Sequence, residues 1–130
     1  TAHVIEKSLF LMVNSDGAVS SPSSDTSGVD FSSDYGQGSG IYIFAYDPKG
    51  RPEVSDNKGA FDYQVGHFKE GTAQGVDDSF IVGGNPERAA MVAFLNYCTF
   101  SGQPQLVQQV LGGEFNASQI DLLSRIKKRA

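Results

Sequence analysis

The chain has 130 residues, of which 39% are apolar or aromatic and 19% charged, with fifteen glycines, one cysteine and a formal net charge of −5. That length predicts one domain, residues 1–130, with enough core to stand without staples, and the lone Cys98 excludes a disulfide framework and any multi-cysteine zinc site. No run approaches about eighteen apolar residues and no basic-then-apolar leader opens the chain, so the expectation is a soluble protein with no membrane insertion.

The free cysteine favours a reducing compartment or an assembled particle without choosing between them. An opening Thr1 in place of methionine predicts trimming, of one initiator residue or of a longer leader. Four of the ten basic residues, Arg125, Lys127, Lys128 and Arg129, crowd the end, while all fifteen acids precede them. A body this acidic repels phosphate backbones, which argues against nucleic acid as a partner apart from the basic C-terminal tail. Those tail cations are expected to complement the dipole of a last helix.

In chain order, LFLMV at 9–13 closes with NSDG, and IYIFAY at 41–46 closes with DPKG. Both read as buried strands ending in tight turns. Between them residues 20–40 form a long inserted loop or arm rich in Ser, Gly and Asp, which lacks the apolar surface to order itself. Its only grips of useful area are Val29, Phe31 and Tyr35, and side chains of this kind anchor interfaces. The same loop offers Asp30, Ser32 and Asp34 at alternate positions, but Tyr35 and Ile41 stand where an EF-hand needs glycine and glutamate, so no metal site is assigned.

Pro52 confines the segment after it to an edge strand or a loop. AFDYQVGHF at 60–68 alternates, placing Phe61, Tyr63, Val65 and His67 on one face of a predicted strand, and SFIV at 79–82 predicts another. The period then changes. Asn85 as cap, Pro86 at the first helical position, and Ala90, Met91, Phe94, Leu95 and Cys98 at helical spacing predict a helix over 86–99. Gly102 stops it, and Pro104 opens a second helix, 104–111, carrying Leu106, Val107, Val110 and Leu111. Ser118 with Asp121 resembles a capping box, and Ile120, Leu123 and Ile126 predict a last helix over 118–128. Strands first and helices last predict an α+β fold, a mostly antiparallel sheet with the helices on one face.

The chemistry-bearing residues are few. Cys98 lies on an apolar helical stripe, where a cysteine behaves as a small hydrophobe, so a Cys98–His67 dyad is disfavoured. Two histidines cannot build a His-rich metal site. FIVGGNPERAA has the strand–turn–helix form of an anion site, but it lacks the P-loop Lys-Ser/Thr pair, and Pro86 removes a donor. Asp77 and Asp78 are adjacent and point to opposite faces of a strand. No catalytic residue and no cofactor is therefore assigned.

YIFAYDPKGRPEV at 42–54 resembles the strand–turn–strand that opens the ligand pocket in Cache- and PAS-like sensor modules; that likeness is one of a single hairpin and carries over no binding residues. Three functional expectations arise. The first is a non-catalytic assembly subunit of a larger complex, such as a virion decoration protein, a tail or filament component or an accessory subunit. It would contact other protein chains, copies of itself included, through the 20–40 arm and both termini. The alternative is a small-ligand or sensor module using Tyr42, Phe44, Tyr46, Tyr63 and His67 on the sheet face. The third is an enzyme using His67 with Asp62 or Asp77.

Overall fold

The computed structural model describes residues 6–14, 19–20, 32–33, 40–55, 65–66, 81–82 and 85–128. In order these form β1 (Leu9–Asn14), β2 (Val19–Ser20), β3 (Ser32–Ser33), β4 (Ile41–Tyr46), β5 (Glu53–Val54), α1 (Pro86–Phe100), α2 (Gln105–Leu111), α3 (Ala117–Leu123) and β6 (Ile126–Lys127). Strands precede helices apart from the short closing strand, and the fold is α+β. Among the described residues the sheets are three antiparallel pairs, β1 with β4, β2 with β3 and β5 with β6.

α1 is the pillar. Its N-cap is Asn85, whose side chain accepts the Arg88 amide at 2.9 Å, with Pro86 in the first turn where no amide is missed. It ends in a Schellman arrangement: the Gln103 amide donates to the Cys98 carbonyl and the Gly102 amide to the Thr99 carbonyl, with Gly102 at φ +73°. The core gathers around it from Leu95, Cys98, Val107, Leu111, Phe115 and Leu123. The buried stripe of α1 is rotated from the one that spacing suggested. Val92, Leu95, Asn96 and Phe100 are inside, while Ala90 and Phe94 are exposed. On α2, Val110 likewise faces solvent.

Asn96 is 2% exposed and binds four partners. Its amide nitrogen donates to the Val92 carbonyl at 2.9 Å and the Leu123 carbonyl at 3.1 Å. Its oxygen accepts from the Arg125 amide at 2.7 Å and the Ile126 amide at 2.9 Å. This side chain explains why the expected helix over 118–128 stops at Leu123. Ser124 turns extended at ψ 97°, its hydroxyl donates to the Ile120 carbonyl at 2.7 Å, and the next two amides leave the helix for Asn96. The chain then runs as β6 against β5, with Lys127 opposite Glu53 and Ile126 opposite Val54. Thr99 donates its hydroxyl to the Ile126 carbonyl, and the Lys128 amide donates to the Thr99 carbonyl. Arg125, Lys127 and Lys128 therefore follow α3 in extended chain and do not end it as a helix; Lys128 lies instead beside Gly102, at the C-terminus of α1.

Other expectations are adjusted in the same way. The cap of α3 is Asn116, one position before the helix. Its side chain accepts the Gln119 amide and Gln119 returns to the Asn116 amide, both at 2.9 Å, so the capping box is Asn116 with Gln119 and not Ser118 with Asp121. The chain bends at Val65 and Gly66, with Gly66 at φ 76°, so no uninterrupted strand covers 60–68. Ile81 and Val82 lie in a turn leading to α1, where the strand over 79–82 was expected; the Arg88 side chain donates to the Ile81 carbonyl at 3.3 Å.

Candidate functional site

β1 and β4 make a six-residue ribbon with the register Leu9 to Tyr46, Phe10 to Ala45, Leu11 to Phe44, Met12 to Ile43, Val13 to Tyr42 and Asn14 to Ile41. Because side chains alternate, these rows fall on two faces. The inner face carries Phe10, Ala45, Met12 and Ile43, and Phe10 fastens it to α1. Phe10 stands edge-on to Tyr97 with ring centroids 5.5 Å apart, and tilted to Phe100 at 5.8 Å. Met12, farther along the strand, is 44% exposed, as open as Leu9 on the other face, so Phe10 is where β1 is covered. The exit turn is set locally, with Asp47 accepting the Lys49 amide at 2.9 Å and closing on Gly50, as the DPKG letters predicted.

The outer face holds three rows, and every one is large and apolar: Leu9 with Tyr46, Leu11 with Phe44, Val13 with Tyr42. All six side chains are exposed, from 38% at Tyr46 to 67% at Tyr42. An antiparallel ribbon with one solvated face ordinarily alternates apolar with polar residues. Here neither strand does, and the buried strands expected at 9–13 and 41–46 are not buried: β4 is half-buried on its inner face, and β1 is covered only at Phe10. The apolar runs hid this, because continuous apolar letters read as a strand covered twice. A finer signal was available in IYIFAY, whose period of two puts Tyr42, Phe44 and Tyr46 together and away from Ile41, Ile43 and Ala45.

Of the residues proposed for a ligand site, Tyr42, Phe44 and Tyr46 share this outer face, while Tyr63 and His67 lie outside the described residues. So do the arm's Val29, Phe31 and Tyr35, and the third reading's Asp62 and Asp77. Of the arm's described residues, Ser20 at its start pairs with Ser32 within it, and Val19 pairs with Ser33, as β2 against β3. Cys98 sits in the core at 1% exposure, and burial pushes its thiol above the usual range, which keeps it protonated and unreactive at neutral pH. Among the described residues no three His, Cys, Asp or Glu side chains gather as a metal site, and no helix is long and apolar enough to cross a membrane.

The chemistry of the outer face limits its uses. It has no charged side chain and no fixed polar geometry beyond two tyrosine hydroxyls, so it suits contact with another apolar surface better than bond making. Compared with known proteins, the chain matches no family model, no curated protein sequence and no solved structure.

Proposed function

We propose that this chain is a non-catalytic assembly subunit that docks onto neighbouring protein chains through the outer face of the β1–β4 ribbon, with the 20–40 arm as a second contact. The observation that carries the reading is the set of three apolar rows presented to solvent on a ribbon whose other face is fastened to α1. Contiguous apolar patches of several hundred Å² on a protein surface mark interaction sites. Aromatic residues at the centre of such a patch are the side chains that dominate interface energetics. Placement of the one cysteine in the core supports a non-catalytic role.

The test is site-specific photo-crosslinking in the cells that make the protein. A benzoylphenylalanine at position 44 is expected to give discrete protein adducts that disappear when Leu11→Lys is added. The same probe at the exposed Gln109 on α2 is expected to give none of them. Identical adducts from both positions, or none from position 44, would refute docking by this face. Native mass spectrometry separates the sensor-module alternative: a co-purifying small molecule lost on Tyr42→Ala and Phe44→Ala would replace the assembly reading.

A further inference from the structure

Resting on that docking reading, we infer that the occupant of the outer face is a second copy of this chain, packed ribbon to ribbon about a two-fold axis parallel to the strands.

The exposed area matches what a dimer needs. At roughly 200 Å² for a large apolar residue, exposures of 38% to 67% over six side chains leave on the order of 600 Å² on this face. Two such faces, fully covered by one another, would bury at most about 1,200 Å², the lower bound of stable specific interfaces. The face is therefore large enough to hold a dimer with an equal partner.

Its shape selects the axis. The face is divided into two columns, an aliphatic one on β1 (Leu9, Leu11, Val13) and an aromatic one on β4 (Tyr46, Phe44, Tyr42). Facing sheets of a sandwich lie about 10 Å apart with nearly aligned strands. An axis along the strands exchanges the columns while keeping each row level, so Leu9 of one copy meets Tyr46 of the other, Leu11 meets Phe44, and Val13 meets Tyr42. Large side chains then oppose smaller ones at every row. An axis across the strands would instead set Leu9 over Val13 and stack aromatic on aromatic, leaving a thick column beside a thin one. An isologous contact needs a self-complementary patch, and of these two arrangements the first supplies it.

Charge adds a signature. None of the six side chains is charged at neutral pH, so no charge is desolvated on pairing. Each copy nonetheless carries −5 overall, and two copies repel through solvent. Association should therefore tighten as salt is added, the reverse of an ion-paired interface.

Sedimentation velocity across the micromolar range is the primary experiment. The expected result is a concentration-dependent monomer–dimer equilibrium that strengthens with salt and is weakened about thirtyfold or more by Phe44→Lys, the size of a central anchor. Geometry is read by a short bis-maleimide on mixtures of variants that each carry one introduced cysteine. Leu9→Cys with Tyr46→Cys should link, and Leu9→Cys with Val13→Cys should not, while Cys98 is shielded in the core. Linking of Leu9→Cys to Val13→Cys alone overturns the proposed axis. A chain that stays monomeric throughout overturns the second copy as occupant. If the probe at position 44 still gives adducts to other proteins, the docking reading survives that failure; if it gives none, both fall.

Discussion

Replacing Asn96 by alanine removes a side chain that holds two distant parts of the chain together, and the cost can be worked from its partners. The Arg125 and Ile126 amides, 29 and 30 residues away, both end on its oxygen, and its nitrogen ends on the Leu123 carbonyl. With Asn96 2% and Arg125 6% exposed, water does not reach the vacated bonds without opening the segment. Each buried amide left without a partner costs roughly 1–3 kcal/mol. Asn96→Ala should therefore lose about 3–5 kcal/mol of a total stability of roughly 6–20 kcal/mol for a chain of this length. That corresponds to a melting temperature lower by about 10–20 °C.

Urea unfolding followed by circular dichroism measures the loss, and hydrogen exchange locates it. The Arg125 and Ile126 amides should exchange much faster in the variant while the middle of α1 keeps its protection. A loss below about 1 kcal/mol, the worth of one ordinary hydrogen bond, would refute the claim that Asn96 fixes the end of α3 and seats β6. Asn96→Asp sharpens the test through pH. One carboxylate oxygen would still accept the two amides, but the other would face the Val92 and Leu123 carbonyls, which raises the folded-state pKa above the unfolded value. The native state then binds more protons than the unfolded one, so stability should fall as pH rises above about 4. The wild type carries no ionisable group at this position, so this downward slope is an added term that comparison of the two proteins isolates.

Gly102→Ala forces a side chain into φ +73° and sets its Cβ 3.1 Å from Lys128 Cδ. It should cost about 1–2 kcal/mol, read from the urea midpoint. Cys98 should resist a thiol reagent in the native protein and react fully once unfolded. Because its folded pKa is raised, stability should be flat at neutral pH and fall as pH climbs through the ordinary thiol range of about 8–9, where the unfolded thiol ionises first. Phe10→Ala removes the half-buried ring that meets Tyr97 and Phe100 and should cost about 2 kcal/mol in the same assay, less than the loss of a fully buried ring, loosening the ribbon on α1.

Local chemistry is readable in the letters and distant chemistry is not. Asn85 with Pro86, Gly102, and DPKG each act on amides within a few residues, so the start and stop of α1 and the turn after β4 can be read from sequence. The end of α3 is hidden, because Ile120, Leu123 and Ile126 keep a helical period while the forces that stop the helix come from Asn96 and Thr99, both on α1. Asn96 itself is visible as a polar residue midway between Val92 and Phe100 at four-residue spacing, a pattern that puts an amide on a core stripe and asks what it binds. Gly66 sits on the polar side of an alternating pattern, yet its left-handed backbone bends the chain. For the candidate site, composition points to the arm as the place of contact, while the geometry exposes a ribbon face that composition reads as core.

Whether that face is there for docking or only for strand formation is decided by asking what else would serve. Aromatic and aliphatic side chains favour strands, and each cross-strand pair contributes roughly 0.2–1 kcal/mol. Threonine satisfies the same backbone preference and pairs across strands, while it offers water a hydroxyl. If the outer rows do nothing for the monomer's core, threonine there costs little. The double variant Leu11→Thr, Phe44→Thr should thus lose only about 1 kcal/mol, because the two residues it replaces are 46% and 58% exposed. The inner face and its Phe10 contact are untouched, and the ribbon should keep its hydrogen-bond protection. Self-association should vanish, together with the adducts from a benzoylphenylalanine placed at position 42 on the same face. A variant that instead unfolds by several kcal/mol would show that the outer rows are part of the monomer's own core, and the face would lose its claim to be a docking surface.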